Sequence, residues 1–168
     1  MITNENTIRL IYDEAFGTNC NGAITYNVFK HNSDLQKSAM AFLAEKGIRD
    51  WTNGNIRHEP GYDVIGADNK KYEVKSTGKS NQKVLTIENL TAKLGLCDYI
   101  AILDFENYRA FVIPHDDFFN EGNTKILDAG RGRLKWCFSY NDTGKRQVLN
   151  TQFILKYEQD FNEILGIH

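Results

Sequence analysis

The chain has 168 residues, of which 41% are hydrophobic and 25% are charged, and its formal net charge is −2. This length and composition predict one globular domain with a sizeable core, and the charge balance argues against a protein that holds nucleic acid by bulk charge alone. No apolar run approaches the roughly 20 residues of a transmembrane helix, the first residues lack the pattern of a signal peptide, and the three cysteines form no CxxC pair. We therefore expect a cytoplasmic protein without membrane association, disulfide framework or zinc site.

Charge is distributed unevenly along the chain. Residues 70–93 hold six lysines and two glutamates, and residues 125–156 hold seven lysines or arginines and two aspartates. Residues 98–121 have the opposite balance, with six acids and one arginine. Such a distribution is compatible with a basic cleft on a nearly neutral body, and equally with a mixed solvated surface.

Helical periodicity dominates the first part of the chain. Apolar residues at helical spacing predict a helix over residues 4–16, with Asn4 as N-cap and Gly17 at its end. The next residues are polar and irregular. A second helix is predicted to begin with Ser33 as N-cap and to end at Gly47.

The periodicity then changes to that of strands. Residues 61–66 and 71–77 alternate and predict a hairpin around Ala67-Asp68-Asn69-Lys70. The remaining predicted elements are a short helix at 84–94, strands at 98–105 and 109–113, a helical turn at 115–120, strands at 133–140 and 147–155, and a terminal helix near 156–165. This order implies one α/β domain with a mixed sheet, in which the apolar run DYIAILDF is the central strand.

The predicted hairpin carries charged residues on strands that otherwise look buried. Asp63 lies on the first strand, and Glu73 and Lys75 share one face of the second, because residues i and i+2 of a strand point the same way. A two-residue turn would place Asp63 opposite Val74, on the wrong face, whereas a three-residue loop would place it opposite Glu73 or Lys75. We predict the three-residue loop, because Asn69 tolerates the left-handed conformation that it requires.

Two carboxylates that face each other across a strand pair can share one metal ion. Opposed residues have Cβ atoms about 5 Å apart, and carboxylates without histidine or thiol are hard ligands that suit Mg²⁺. With a lysine to hold or deprotonate a water, these groups predict metal-assisted hydrolysis of a phosphodiester. The alternative is an inert hairpin with one charged face, since acid-x-Lys triplets are common by chance.

The order of these elements resembles that of the PD-(D/E)xK nucleases. Asp63 is followed by Glu73-Val74-Lys75 on the next strand, then by a helix, and then by DYIAILDF and RAFVIP. The resemblance is greatest to type II restriction endonucleases of the PvuII kind. It covers residues 59–119, with weaker similarity at 27–37 and 147–157.

The resemblance implies a restriction-endonuclease-like α/β core with a mixed central sheet flanked by helices. The implied divisions of the single nuclease domain 1–168 are a helical N-terminal part at 1–47, a catalytic core at 59–119 and a DNA-contacting C-terminal part at 125–168.

The same resemblance implies roles for individual residues. Asp63, Glu73 and the backbone carbonyl of Val74 would bind Mg²⁺, and Lys75 would serve the attacking water. Family members often carry a further acid upstream.

Glu59 lies where PvuII-type sequences carry that acid and is the first candidate, and Glu45, late in the second predicted helix, is the other. Glu59 could also be an ordinary loop acid before Pro60. The chain departs from the Pro-Asp pair of the family, since here the order is Pro60-Gly61-Tyr62-Asp63.

Sequence-specific cleavage requires side chains that reach the edges of bases. Asn and Gln can pair bidentately with adenine, and Lys with guanine. In PvuII-type enzymes the segment after the catalytic strand approaches the major groove. The candidates in this chain are Asn81, Gln82, Lys83, Asn150, Thr151 and Gln152. The four histidines form no pair at ligand spacing, so no chemistry is assigned to them.

The sequence therefore predicts a Mg²⁺-dependent type II restriction endonuclease that cuts double-stranded DNA at a short specific sequence, leaving 5′-phosphate and 3′-hydroxyl ends. A homodimer is expected, because one chain carries one site and cutting two strands requires two. The alternatives are a repair or junction-resolving nuclease of the same fold, for which a more basic chain is expected, and a non-catalytic DNA-binding or protein-interaction module.

Overall fold

The structure is a computed structural model. It describes residue 2 and residues 4–17, 24–78, 85–88, 95–120, 125–128, 134–138 and 153–167. The helices are α1 (Glu5–Phe16), α2 (Tyr26–Lys30), α3 (Ser33–Trp51), α4 (His115–Phe118) and α5 (Phe161–Leu165), and a 3₁₀ helix spans Phe153–Tyr157. The strands are β1 (Asn55–Glu59), β2 (Tyr62–Ile65), β3 (Lys71–Thr77), β4 (Leu85–Glu88), β5 (Tyr99–Asp104), β6 (Arg109–Pro114), β7 (Lys125–Asp128), β8 (Leu134–Phe138) and β9 (Glu158–Gln159).

Six of these strands form a mixed sheet in the order β1-β2-β3-β5-β6-β9. Strands β3 and β5 are parallel, and every other neighbouring pair is antiparallel. Strand β5 lies inside the sheet, as its apolar sequence predicted, because both of its edges are paired. A second, three-stranded antiparallel sheet has the order β4-β8-β7.

Helices cover both faces of the six-stranded sheet. On one face, Ala101 and Leu103 of β5 belong to an apolar cluster with buried residues of α1, α3 and α5. On the other face, Ile100 and Ile102 pack in a second cluster with Phe118 of α4 and with the 3₁₀ helix. The predicted α/β class with a mixed sheet is therefore confirmed. Within the described part of the chain, none of the helices combines the length and hydropathy that a bilayer crossing requires.

The first predicted helix is confirmed with both of its ends. The Asn4 side chain accepts hydrogen bonds from the backbone N–H groups of Asn6 and Thr7, and Gly17 follows the last turn with φ of 66°. The irregular segment that was expected next contains the short helix α2. Its N-cap is Thr25, whose side chain accepts from the N–H of Val28.

The second predicted helix is longer than expected. Asn32 rather than Ser33 is its N-cap, since the Asn32 side chain accepts from two N–H groups of the first turn. The prediction that Gly47 ends this helix is wrong, because α3 continues to Trp51. A Cβ at Gly47 would lie 2.9 Å from the carbonyl oxygen of Ile164, so this glycine permits α5 to approach α3 closely.

The predicted hairpin is confirmed in its loop length. The N–H of Gly66 donates to the carbonyl of Lys70 at 2.8 Å, so Ala67, Asp68 and Asn69 form a three-residue loop. Asn69 has φ of 64°, which is the left-handed conformation that the prediction required.

Two other predictions differ from the structure, and two strands were not predicted. The helix predicted at 84–94 is wrong at its start, because residues 85–88 are strand β4, whose backbone pairs along its whole length with β8. The strand predicted at 147–155 ends in a 3₁₀ helix instead, and residues 147–152 lie outside the described residues. Strands β1 and β7 were not predicted, since neither has a clear alternation of apolar residues.

Candidate functional site

The candidate site lies where the β2–β3 ladder stops. The pair farthest from the turn is Val64–Tyr72, and the same register extended by one residue places Asp63 opposite Glu73. Here the backbone N–H of Val74 donates to Oδ2 of Asp63 at 2.8 Å. The Asp63 carboxylate therefore takes a main-chain donor of β3 and is held against that strand.

Glu73 and Lys75 form an ion pair on one face of β3, through Oε1 and Nζ. The Glu73 side chain is 0% exposed and that of Lys75 is 29% exposed. The parallel register with β5 places these two residues beside Ile100 and Ile102, which belong to the second apolar cluster. The pair therefore has an apolar floor and partial access to water, and charges in such surroundings interact more strongly than on an open surface.

The Cys97 thiol lies close to Glu73. Burial raises the pKa of this thiol to about 11, and the negative charge of Glu73 adds to the effect. Without a bound cation, a thiol with so high a pKa is protonated at neutral pH.

Helix α3 contributes Glu45, whose side chain is 20% exposed. Burial raises the pKa of the Glu45 carboxyl above its ordinary value of 4.5, and the negative charges of Asp63 and Glu73 act in the same direction. His58 and Lys75 act in the opposite direction. Acids from the helix and from two strands therefore lie close enough to repel one another.

Strand β1 reaches the site through a β-bulge. Two of its residues, Arg57 and His58, face the single residue Asp63 of β2. His58 has φ of 49°, and its Nδ1 lies 3.7 Å from Oε2 of Glu45. One possible ligand atom from each of Glu45, His58 and Asp63 lies within 4.8 Å of the other two.

The structure brings most of the predicted site together. Asp63, Glu73 and Lys75 lie where β2 and β3 adjoin, and the charges of all three act on one common neighbour, Glu45. Glu59 is exposed at the end of β1. Of the two upstream acids considered, Glu45 is the one that the structure adds to this cluster.

His58 was missed from the sequence. Its position in the cluster depends on β1, whose sequence NIRHE is polar and mostly exposed, and on a bulge that shifts the register by one residue. The local signal that could have drawn attention to it is the run of charged residues, Arg57-His58-Glu59, just before the hairpin.

Two groups of predicted site residues are not tested by these contacts. The backbone carbonyl of Val74 as a metal ligand stays a prediction. The predicted DNA-reading residues Asn81, Gln82, Lys83, Asn150, Thr151 and Gln152 lie outside the described residues.

The donor set of the site fits a divalent cation. Carboxylates of Glu45, Asp63 and Glu73 offer hard oxygen atoms, which Mg²⁺ prefers. Burial, and then the negative charges of Asp63 and Glu73, raise the pKa of Glu45, and a bound cation would favour its charged form. Lys75 is a positively charged partner of Glu73.

Comparison with known proteins gives no family assignment. No protein-family model matches the sequence, and a search of curated proteins finds no match. Function has to be inferred from the chemistry of the site.

Proposed function

We propose that the protein is a Mg²⁺-dependent endonuclease of the PD-(D/E)xK type that cuts double-stranded DNA at a short specific sequence, as type II restriction enzymes do. The observation that carries the proposal is the convergence of Asp63, Glu73 and Lys75 from adjacent strands with Glu45 from the covering helix. Three acids and a lysine in one half-buried cluster match the needs of phosphodiester hydrolysis.

In this hydrolysis the oxygen of a water attacks phosphorus, and the bond from phosphorus to the 3′ oxygen breaks. The products are a 5′-phosphate and a 3′-hydroxyl, whose oxygen takes up, through solvent, the proton that the attacking water releases. A bound Mg²⁺ would supply polarisation of the phosphate and stabilisation of the leaving oxygen. Asp63, Glu73 and Glu45 would hold that ion.

Lys75 has a separate task in the proposal. Its ammonium group is fixed by Glu73, and its partial exposure leaves donors for a water that approaches the phosphate. The same cation would attract the DNA phosphate into a pocket that is otherwise rich in acids. Loss of Lys75 should therefore affect the chemical step more than folding.

The fold is compatible with the proposed nuclease. A central mixed sheet carries Asp63 and Glu73 on two neighbouring strands, and the long helix α3 carries Glu45, whose carboxylate interacts electrostatically with both. We propose that this arrangement is the restriction-endonuclease-like core that the sequence resembles. A homodimer in the cytoplasm, in which each copy cuts one strand, belongs to the same proposal.

The test is incubation of the full chain with long unmethylated phage DNA and with plasmid DNA in the presence of Mg²⁺. A reproducible set of discrete fragments is the expected result. Lys75→Ala should remove cleavage and retain DNA binding in a gel-shift assay without Mg²⁺. Lys37→Ala is the matched control, because it removes a lysine from an exposed ion pair with Asp34.

Three results would overturn parts of the proposal. DNA that stays intact would exclude a nuclease and favour a non-catalytic DNA-binding or protein-interaction module. Cleavage confined to branched DNA would instead indicate a junction-resolving or repair nuclease. Cleavage by Lys75→Ala at the rate of the unmodified protein would remove Lys75 from the mechanism.

A further inference from the structure

We propose that His58 is a metal ligand, and that Glu45, His58 and Asp63 together bind a first-row transition-metal ion such as Mn²⁺. The inference concerns the same site as the proposed nuclease and rests on that proposal only for the role of the ion in DNA cleavage. It adds a nitrogen donor to a site that the sequence predicted to contain oxygen donors alone.

The first support is the arrangement of the three side chains. They come from α3, β1 and β2, and one ligand atom of each lies within 4.8 Å of the other two. An ion that holds its ligands at about 2.1 Å keeps neighbouring donors roughly 3–4 Å apart. The three groups therefore need to close by only about 1 Å around an ion.

The second support is the β-bulge that carries His58. Opposite a single residue of β2, a regular ladder would have one residue of β1, and the bulge supplies two. Bulges redirect side chains and are common beside active sites. Here the bulge brings the imidazole Nδ1 of His58 to 3.7 Å from Oε2 of Glu45.

The chemistry of the donors indicates the class of ion. Imidazole nitrogen is a weak ligand for Mg²⁺ and a better one for the divalent ions of the first transition row, with an affinity that is lowest for Mn²⁺ and rises along the row, whereas carboxylates bind both classes. One imidazole and two carboxylates leave several positions on the ion for water or phosphate oxygen. The His58 side chain is 65% exposed, so these positions can be reached from solvent.

The test uses the full chain without a histidine tag and Mn²⁺ as the probe. Binding is measured from the loss of the electron paramagnetic resonance signal of free Mn²⁺. Directly bound nitrogen is detected from ¹⁴N modulation of the electron spin echo. His58→Gly is the main variant, because glycine readily adopts the φ of 49° found there. His58→Asn is the second variant, because asparagine also tolerates this conformation.

The matched control is His31→Gly, which removes another exposed histidine, at the end of α2. In the unmodified protein and in this control we expect ¹⁴N modulation, and in both His58 variants we expect it to be lost. Since even outer-shell partners of metal ligands contribute about 10–100-fold to affinity, loss of His58 should weaken Mn²⁺ binding by at least about tenfold. Mg²⁺ affinity, measured by calorimetry, should change by less than about twofold, because the oxygen donors remain.

Either of two results would overturn the inference: absence of ¹⁴N modulation in the unmodified protein, or Mn²⁺ affinity unchanged in a folded His58 variant. The proposed nuclease can fail separately. If Mn²⁺ binds through His58 but DNA stays intact with Mg²⁺ and with Mn²⁺, the proposed metal site is supported and the proposed nuclease activity is rejected. If DNA is cut and no nitrogen is bound to Mn²⁺, the nuclease stands and His58 is not a ligand.

Discussion

Glu73 and Asp104 are the two buried acids among the described residues, and they lie on neighbouring strands of one sheet. The Asp104 carboxylate accepts hydrogen bonds from the N–H groups of Glu106 and Asn107 and from the Asn107 side chain, all within the turn that follows β5. Glu73 instead meets a lysine of its own strand and a repelling acid from α3.

The difference separates two reasons for burying a charge. The hydrogen bonds that Asp104 accepts from this turn are local, so they explain its burial by formation of the β5–β6 turn. Glu73 instead lies near charges from distant parts of the sequence, since Glu45 of α3 interacts with both Asp63 and Glu73. Acids that come together in this way are typical of functional sites.

The largest expected effect is at Glu73 itself. Glu73→Gln should lower the rate of Mg²⁺-dependent DNA cleavage by about 10³-fold, because it removes a charged metal ligand and the partner of Lys75. The melting temperature should change by only a few degrees, since the amide can still accept a hydrogen bond from Lys75. If the Glu73→Gln variant cuts DNA at a rate within tenfold of that of the unmodified protein, Glu73 has a structural role, as Asp104 does.

Asp104→Ala should instead lower the stability of the protein and leave DNA cleavage almost unchanged. It leaves three donors of one turn without their carboxylate, so the free energy of unfolding should fall by roughly 3 kcal/mol, as measured by urea denaturation. The cleavage rate per folded molecule should stay within about twofold. A stable variant with lost cleavage would mean that Asp104 belongs to the site after all.

A third test compares the two upstream acids. Glu45→Gln should weaken Mg²⁺ binding by about tenfold or more in calorimetry, because Glu45 lies beside Asp63 and Glu73. Glu59→Gln serves as the control and should change the Mg²⁺ affinity by less than about twofold, because Glu59 is exposed at the strand end. The reverse order of effects would show that the acid expected from PvuII-type sequences is the functional one.

The smallest expected effect concerns Tyr72, which precedes Glu73 and faces the opposite side of β3, where its ring stacks on Tyr99. Burial raises the pKa of Tyr72 to about 12. Because the folded state keeps this proton longer than the unfolded state, stability should fall as the pH rises from about 10 to about 12. The loss at pH 11 is about 1 kcal/mol.

Tyr72→Phe keeps the ring stack and removes the titrating hydroxyl. The variant should therefore show a smaller decrease in the free energy of unfolding between pH 9 and pH 11 than the unmodified protein. Urea denaturation at the two pH values measures the difference. An equal decrease in both proteins would show that Tyr72 is not the group responsible.

Short-range patterns predicted the hairpin and the first helix correctly. The Asn69 conformation and the Asn4 cap depend on residues within a few positions of one another, and sequence records such relations directly. The face-sharing of Asp63 and Glu73 followed from the loop length alone. The core of the candidate site was predictable for this reason.

The remaining features depend on residues distant in sequence. Gly47 was predicted to end a helix, but in the structure a glycine is needed there because α5, more than 100 residues later in the chain, packs closely against it. Residues 85–88 have a helical spacing when combined with later leucines, but in the structure they pair with β8. The places of Glu45 and His58 depend on how α3 covers the sheet and on a bulge, neither of which leaves a local pattern.

The hydrogen bond from the Val74 N–H to Asp63 has a consequence for what can replace this acid. One carboxylate oxygen accepts a main-chain hydrogen bond, so the other oxygen is the freer donor for the proposed cation. In Asp63→Asn the amide oxygen would accept from Val74, and the amide NH₂ would be turned toward the ion. Asparagine, which is nearly identical in shape, would thus present hydrogens where the proposed cation needs a lone pair, so we expect Asp63→Asn to lose metal binding.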